Sequence, residues 1–538
     1  MNKQSFICGV LHLSSKVSYG SAKNGAIMKQ FTAFRTIVIE GKNYKIFHIK
    51  TKRHFNSRDI YTIIRFEKVE NDIAMGTVEQ YIGEVGDDFS EKEYLKLVCC
   101  ATWANDKIFL KNMPQYGNDI FQDRKTLPNI NIYSIDPPGC SDIDDALHIK
   151  KLADDDVYIY ELGIHIADVS SYIPYGSDLD KEISSRCETV YLDLKDKRQI
   201  NMLPDQLTRM CSLIQKEPKR SHSIVMKIDK DYNISNIEFV HCTINVSQNL
   251  SYDEAQRIID SRKNDDLCEL YSLGKKILKD NAHLESYDTH KMVEIYMVLA
   301  NSLVAEKICK KCPERAIFRC HSGSRRQLYT RNNSIGNIDE KIIICANNLL
   351  LESAEYKIGN DASSHIALGK EVYTHFTSPI RRYADIIAHR MLDGNFSIDD
   401  NTIDQINDKH KLYNKCQKIS LELSKIKILK EKYGEVIVCD GYIVDVVPEN
   451  NRIRIYSQLF DMTIDCKLYS QLLNDLVKKD FVKNEKNIEE LKLTSLSNGK
   501  KISLEMFQIV KLKIAIVLSI KNKLLCSLLY PNILEIFE

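Results

Sequence analysis

The sequence IDPPGCSDIDDAL, from Ile135 to Leu147, places four aspartates within ten residues, and two prolines and a glycine separate the first aspartate from the others. Proline lacks the N–H that a helix interior needs, and glycine loses much entropy there, so the stretch predicts a stiff turn that folds one acid back towards the other three. Four carboxylates this close repel one another when they are partly buried. They are therefore expected either in open solvent or around a cation such as Mg²⁺ or Mn²⁺, which prefer carboxylate oxygens.

Two interpretations of this acidic stretch remain open on its residues alone. A run of aspartates is commonly a solvated loop. The apolar flanks, residues 132–135 and 146–149, are instead typical of strand ends, and a solvated loop has no need of a specific Pro-Pro-Gly turn. The metal site, if formed, would use the four acids of the stretch: Asp136, Asp142, Asp144 and Asp145.

Length and composition limit the classes of protein to which the chain can belong. A chain of 538 residues is too long for one hydrophobic core, so several domains are expected. The formal net charge of +1 is too low for binding nucleic acid through a broad basic face, so any nucleic acid would lie in a local groove. The 16 cysteines are mostly scattered singly, which favours a reducing compartment, and no apolar segment is long enough for a signal peptide or membrane span. We expect a soluble cytoplasmic protein that does not bind membranes, with a nuclear location left open.

The order of strand-like and helix-like segments predicts an α+β protein of several domains. Residues 1–88 are rich in short strands and predict a small β-barrel, and residues 89–129 predict a reduced second barrel or a linker. Residues 130–433 have a mixed pattern, and residues 434–538 return to strands and predict another barrel, with a polar loop over 478–500. Apolar residues at steps of four and three predict one long helix in the mixed region: Leu412, Cys416, Ile419, Leu423 and Ile426.

The stretch YTHFTSPIRRYADIIAHRML, from Tyr373 to Leu392, is the second one dense in chemically active side chains. Ser378 and Pro379 predict the start of a helix, because proline is well tolerated in the first turn. Arg381 and Arg382 would then lie in that turn, where a helix N-terminus and guanidinium groups together form a phosphate site. An amphipathic surface helix with basic residues is the alternative that this stretch leaves open.

Together, the two stretches closely resemble the signatures of the ribonuclease II family, whose catalytic core is called RNB and which includes bacterial ribonucleases II and R and the hydrolytic subunit of the exosome. Further runs that resemble the family follow in the same order: GIHIADVS (163–170), ETVYLDL (188–194), MLPDQL (202–207), LSYDEA (250–255), VEIYMVLAN (293–301) and IFRCH (317–321). The resemblance covers residues 130–432. Because the family brackets its core with cold-shock and OB-type RNA-binding barrels, the resemblance implies that the predicted barrels are such domains.

The resemblance implies a processive 3′-to-5′ exoribonuclease that hydrolyses single-stranded RNA to nucleoside 5′-monophosphates with Mg²⁺, or Mn²⁺ in its place. By motif position, the metal ligands would be Asp136, Asp142, Asp144 and Asp145, and the catalytic residues would be Asp144 and Arg381, the latter on the scissile phosphate. The candidate RNA-binding residues are Tyr191, Tyr252, Glu294, Arg381, Arg382 and Glu422. Tyr191 matches a tyrosine that grips the terminal nucleotides, whereas Tyr252 and Glu294 match residues linked to recognising RNA over DNA.

The sequence departs from the family pattern in places that affect how RNA would be held. The segment Leu278–His290 is shorter than its family counterpart and has Tyr287 as its only aromatic residue. Glu422 is followed by Leu423 and Ser424, where the family often has an acid-Arg-x-Ser pattern. The chain starts directly in barrel-like sequence, so we expect no additional endonuclease domain.

A catalytically inactive RNB-fold RNA-binding regulator is the main alternative to an enzyme. The presence of all four aspartates and of Arg381 favours activity. Taken singly, Tyr191 and Tyr252 are typical of core aromatics, and Glu294 is typical of an acid near a helix start. The histidines show no spacing typical of metal ligands. The expected partner is single-stranded RNA, and the chain is expected to be a monomer or a member of a larger RNA-decay complex.

Overall fold

In the computed structural model, the described residues are 6–19, 27–51, 58–100, 103, 123–127, 129–152, 157–193, 199–278, 287–323, 328–329, 338–359, 364–394, 396, 398–447, 451–468, 475–484, 487–516 and 524–536. They form two closed five-stranded barrels and, between them in the chain, a mixed core with a seven-stranded sheet. The predicted α+β architecture with a barrel on each side of the core is confirmed, whereas the exact domain boundaries stay predictions. None of the described helices is both long and apolar enough to cross a membrane.

Five strands close the N-terminal barrel in the order β1-β2-β3-β5-β4: β1 (Phe6–Leu11), β2 (Ile27–Ile39), β3 (Lys42–Thr51), β4 (Ile60–Glu70) and β5 (Ile73–Glu84). Alternation of buried and exposed residues along the strands directs one face inward. Phe31 and Phe47 meet inside the barrel edge to face, with 6.1 Å between ring centroids. The barrel therefore has its own hydrophobic core.

Helix α1 (Asp88–Cys100) follows the barrel and packs against it. Tyr94 of α1 stacks on Tyr61 of β4 with 4.1 Å between ring centroids, and the Tyr61 hydroxyl donates a hydrogen bond to buried Glu91 at 2.9 Å. The beginning of the segment 89–129, predicted as a reduced barrel or a linker, is therefore helical. Residues 101–102, 104–122 and 128 of that segment lie outside the described residues, and the interpretation of that part stays a prediction.

The central sheet has the strand order β14-β7-β8-β9-β12-β13-β6, and β10 and β11 pair separately. In chain order, the helices and strands of this first part of the core are β6 (Lys125–Thr126), β7 (Tyr133–Asp136), β8 (Asp145–Lys151), β9 (Tyr158–Ala167), α2 (Asp178–Arg186), β10 (Val190–Tyr191), β11 (Gln199–Ile200), α3 (Asp205–Cys211), β12 (Pro218–Asp229), β13 (Ile234–Asn245) and β14 (Gln248–Ser251). The middle strand β9 is buried throughout residues 162–167, as expected for a strand with neighbours on both sides. This buried strand supports the acidic turn, because it pairs with β8, the strand that begins where the turn ends.

The rest of the core is mostly helical. Its elements are α4 (Tyr252–Asp260), α5 (Asp265–Leu278), α6 (Thr289–Lys311), β15 (Ile317–Cys320), α7 (Glu340–Leu350), β16 (Glu355–Ile358), α8 (Tyr383–Asp393) and α9 (Asp400–Tyr433). Ser251 and Glu254 form a capping box that fixes the start of α4. The predicted long apolar helix is confirmed as α9, on which Cys416, Ile419, Leu423 and Ile426 are buried.

The C-terminal barrel has the strand order β17-β18-β19-β24-β23, and β20, β21 and β22 form a separate sheet. The strands are β17 (Val436–Val447), β18 (Arg452–Ser457), β19 (Met462–Lys467), β20 (Val477–Asn484), β21 (Asn487–Ser495), β22 (Lys501–Glu505), β23 (Ile509–Ile516) and β24 (Leu524–Tyr530). The prediction of a loop over 478–500 is wrong, because β20 and β21 occupy most of it. Leu491 and Leu493 alternate with lysine and pack into the barrel core, a period of two that the polar composition obscured.

Candidate active site

The acidic turn connects two neighbouring antiparallel strands of the central sheet. Strand β7 ends at Asp136, β8 begins at Asp145, and Tyr133 pairs with Leu147. Within the turn, Gly139 has φ +77°, a conformation that favours glycine, and Cys140 N–H donates to the carbonyl of residue 137 at 3.1 Å. The predicted fold-back of the first acid towards the others is therefore present.

Asp144 is the point at which the two motifs of the sequence meet. The residue is 4% exposed, and its Oδ1 accepts a hydrogen bond of 2.8 Å from the backbone N–H of Ile380, which is 236 residues later in the chain. Arg381 Nε lies 3.5 Å from Asp144 Oδ2. The Asp144 carbonyl accepts from Ala167 N–H at 2.8 Å, which anchors the acid to the end of β9.

The carboxylates of this turn have the properties expected of a cation site. Among the described residues, the buried oxygens Asp136 Oδ2 and Asp144 Oδ2 accept no hydrogen bond, although Asp144 Oδ2 lies 3.5 Å from Arg381. Buried carboxylate oxygens without a hydrogen bond are costly. Burial, together with the charge of Asp142, raises the pKa of Asp136 to about 6. Burial and the charge of Asp136 raise the pKa of Asp145 to about 8. A dication would offset both the burial and the mutual repulsion, so these residues fit one.

The donor set also indicates which cation fits. All four side chains offer only oxygen, the ligand that Mg²⁺ and Mn²⁺ prefer. Among the described residues, no three of these carboxylates have ligand oxygens that all lie within 4.8 Å of one another. Mg²⁺ commonly keeps several waters and binds through one or two carboxylates, so it does not require three converging carboxylates.

Asp142 has one polar neighbour that was expected near the site, Tyr191, and one that was not, Gln199. Its Oδ2 accepts from the Tyr191 hydroxyl at 3.5 Å, and its Oδ1 accepts from Gln199 Nε2 at 3.5 Å. The Tyr191 backbone N–H donates to Gln417 Oε1 of α9 at 2.9 Å, and the Tyr191 residue is 38% exposed. Nothing in the local sequence marked Gln199 or Gln417, since each is brought in by another element.

The segment that contains Arg381 and Arg382 differs from its prediction in one respect. Helix α8 begins at Tyr383, so Arg381 lies in the turn before it and Arg382 is its N-cap residue. The prediction of both arginines inside the first helical turn is therefore wrong. The physical reason is that this backbone pairs with another segment: Thr189 N–H donates to the Arg381 carbonyl at 3.0 Å, and Arg382 forms a β-bridge with Glu188.

The two arginines have different surroundings. Arg381 is 38% exposed in its side chain and donates through Nη2 to Ser378 Oγ at 3.0 Å, so its guanidinium borders both the acidic turn and solvent. Arg382 instead donates to both oxygens of Asp385 at 2.9 Å. Asp385 is fully buried and also accepts from Ser378 N–H at 2.8 Å. Arg382 thus holds the turn, and its predicted contact with RNA stays a prediction.

The remaining predicted RNA-binding residues lie on helices. Tyr252 opens α4 and stacks on His290, with 3.8 Å between ring centroids and 13° between ring planes. Glu294 lies in the second turn of α6, where its carboxylate pairs with Lys291 Nζ at 3.0 Å. Glu422 is half-buried on α9. Residues 279–286 of the shortened segment lie outside the described residues, and Tyr287 is buried.

Comparison with known proteins gives the family. The sequence-family model that describes the RNB domain matches residues 124–395, about half of the chain. The chain belongs to the RNB family. The matched residues include both motifs that meet at Asp144, and the N-terminal and C-terminal barrels flank this RNB domain in the chain.

One curated relative within the RNB family is the probable exosome complex exonuclease RRP44 of Caenorhabditis elegans. It is 29% identical over 466 residues, which cover 71% of this chain and 47% of that protein. The chain spans about half the length of the curated relatives it matches.

Solved structures confirm the RNB fold. RNase R of Mycoplasma genitalium in complex with ribose-methylated single-stranded RNA has a TM-score of 0.72 and 17% identity, covering 97% of this chain and 89% of that chain. Yeast Ssd1, described as a pseudonuclease, also has a TM-score of 0.72, with 16% identity over 99% of this chain and 84% of that chain. At this level of identity the likeness shows the fold alone.

Proposed function

We propose that this RNB protein is a processive hydrolytic exoribonuclease that degrades single-stranded RNA from the 3′ end to nucleoside 5′-monophosphates. The observation that supports it most is that the acidic turn meets the arginine turn, residues 378–382, at Asp144, beside buried carboxylate oxygens that accept no hydrogen bond. RNB relatives named as exosome exonucleases support the same class of reaction.

The proposed cofactor is Mg²⁺, with Mn²⁺ as the alternative, held among Asp136, Asp142, Asp144 and Asp145. When bound, such an ion supplies Lewis acidity and lowers the pKa of a bound water. By motif position, Asp144 is the acid that the chemistry needs most, and its Oδ1 accepts from Ile380 N–H while its Oδ2 lies 3.5 Å from Arg381 Nε. The half-exposed Arg381 guanidinium would contact the non-bridging oxygens of the scissile phosphate and stabilise the charge that develops there.

The RNA would be gripped next to this centre by aromatic rings and polar side chains. Tyr191 combines an exposed ring with a hydroxyl that reaches Asp142, and stacking of a terminal base on such a ring is worth about 1–3 kcal/mol without sequence preference. Tyr252 and Glu294 would act on the ribose, since the 2′-hydroxyl is the group that separates RNA from DNA. Glu422 and Arg382 complete the proposed RNA-binding set. We also propose that the protein acts in the cytoplasm, either as a monomer or as a member of a larger RNA-decay complex.

A catalytically inactive RNA-binding protein is the second candidate, and the observation that favours it is the fold shared with yeast Ssd1, a pseudonuclease. The complete set of four aspartates and Arg381 favours catalysis instead. The two candidates differ in a simple way: both bind RNA, and only one shortens it.

The deciding experiment is a time course on 5′-labelled single-stranded RNA with Mg²⁺, with Mn²⁺ and with EDTA, beside DNA of the same sequence. The enzyme is expected to produce a shrinking ladder or a short limit product with RNA and metal only, and 5′-monophosphates as the released product. RNA binding without shortening under every metal would instead support the inactive alternative. Sizing of the protein from its native source would separate the monomer from the complex.

A further inference from the structure

A cluster of two histidines and one aspartate lies in the core, outside the acidic turn. His222 of β12 and His241 of β13 are directly opposite each other in the antiparallel register, and their ring centroids are 4.3 Å apart. The last residue of α8, Asp393, approaches both rings. The distance from its Oδ1 is 2.8 Å to His241 Nε2 and 3.6 Å to His222 Nε2.

We propose that His222, His241 and Asp393 bind a divalent transition-metal ion such as Zn²⁺. Among the described residues, these are the three whose potential ligand atoms all lie within 4.8 Å of one another. Two imidazole nitrogens and one carboxylate oxygen are a donor set that Zn²⁺ uses, and imidazole also suits neighbouring transition metals. The site differs chemically from the oxygen-only acidic turn.

The orientation of the His241 ring is fixed by a carboxylate at Nδ1, the nitrogen that points away from the proposed metal, as in many metal sites. Its Nδ1 lies 3.0 Å from Asp168 Oδ2, and that fully buried carboxylate is held by Arg124 at 2.6 Å. A carboxylate at one ring nitrogen fixes the tautomer and points the lone pair of the other nitrogen at the metal. His241 Nε2 is the nitrogen that faces Asp393.

The surroundings of His222 are compatible with the same role. Its residue is 2% exposed, and its buried Nδ1 has no hydrogen-bond partner among the described residues. Its other nitrogen, Nε2, lies 3.6 Å from Asp393 Oδ1, which is too long for a hydrogen bond, and a metal between the two atoms would contact both.

The charge and exposure of Asp393 fit the same role. A carboxylate at the C-terminal end of a helix faces the negative end of the helix dipole, so Asp393 needs a compensating positive charge. Asp393 and His241 are each 37% exposed in their side chains, which leaves a path to solvent and room for water as a further ligand. A dication here would connect β12 and β13 to the end of α8, the helix that begins directly after Arg381 and Arg382.

The test uses the full-length protein, stripped with a chelator and kept in excess Mg²⁺ so that the acidic turn is not the site measured. Zn²⁺ binding is followed by competition with a chromophoric chelator, and Co²⁺ binding by its visible absorption. Asp393→Asn is the main variant, because it preserves shape at a partly exposed helix end, and His241→Gln is the second. His48→Gln, in the N-terminal barrel, is the matched control.

The expected result is one tightly bound Zn²⁺ per chain in the wild type and in His48→Gln, with affinity at least about tenfold weaker in both site variants. Zn²⁺ should also raise the unfolding temperature of the wild type and leave that of Asp393→Asn unchanged. Equal Zn²⁺ affinity in the wild type and in folded Asp393→Asn, or no Zn²⁺ bound at all, would overturn the proposal and leave the cluster as an ion pair of His241 with two aspartates. RNA hydrolysis in Mg²⁺ is measured separately, so failure of this site does not test the proposed nuclease activity.

Discussion

At the scale of single residues, Asp144 links local sequence to the proposed chemistry. The sequence of the acidic turn alone is compatible with a solvated loop. In the structure, however, Asp144 is almost fully buried and accepts a hydrogen bond of 2.8 Å from Ile380 N–H. Burial raises its pKa, while Arg381 and the Ile380 N–H act in the opposite direction. A carboxylate in this environment has a charge that the site must compensate.

We predict that Asp144→Asn removes RNA hydrolysis while RNA binding is retained. The substitution takes away one negative charge and keeps the shape of the side chain, so the loss should be at least about 10²–10³-fold in rate. Single-turnover cleavage and equilibrium binding of the same labelled RNA would be measured side by side. Asp178→Asn, at a residue whose side chain is 85% exposed, is the matched control and should cleave normally. Full activity in Asp144→Asn would show that the metal-site assignment is wrong.

At the scale of elements, the turn before α8 is held by a buried ion pair in addition to the backbone hydrogen bond of 3.0 Å from Arg382 N–H to the Ser378 carbonyl. Arg382 donates to both oxygens of Asp385, and Asp385 also accepts from Ser378 N–H. The turn in question includes Ile380 and Arg381, the two residues that contact Asp144. The pair therefore positions the arginine turn against the acidic turn.

We predict that Asp385→Asn destabilises the protein by about 3–5 kcal/mol, because it leaves the Arg382 charge with a neutral partner in a buried site. Urea unfolding followed by circular dichroism would measure the loss. Asp399→Asn, which removes the charge at the exposed N-cap of α9 and keeps an oxygen that can accept from Thr402 N–H, provides a comparison and should cost less than about 1 kcal/mol. A similar stability for Asp385→Asn and the wild type would mean that the ion pair does not hold the turn.

At the scale of the whole molecule, two barrels flank the core, and the overall charge of the chain is close to neutral. With a formal net charge of +1, the chain as a whole attracts RNA only weakly, so affinity must come from local contacts with phosphates. Such contacts release counterions, and their number determines the dependence of affinity on salt.

We predict that the dissociation constant for single-stranded RNA rises steeply with salt, in a linear plot of log Kd against log salt concentration. Each phosphate contact should contribute about 0.7 to the slope. The measurement would use the Asp144→Asn background, in which RNA is not degraded. Adding Arg381→Gln should remove one phosphate contact and so lower the slope by about 0.7. A flat response to salt would contradict a charged RNA groove.

The sequence by itself determined the barrels, the long apolar helix and the fold-back of the acidic turn. These depend on short-range causes: alternation of apolar residues, steps of three and four, and the conformations allowed to Pro-Pro-Gly. The strands within 478–500 were missed because polar residues obscured a period of two whose buried members, Leu491 and Leu493, are recognisable only from the barrel core.

The tertiary structure decided which side chains share a site. It brought Ile380 to Asp144, gave Arg382 a buried partner, and placed His222 and His241 next to Asp393, although no local spacing marked these histidines as ligands. Partners in a hydrogen bond or a metal site are chosen by distance and burial in space. Residues that lie on different strands and helices acquire both only when those elements pack.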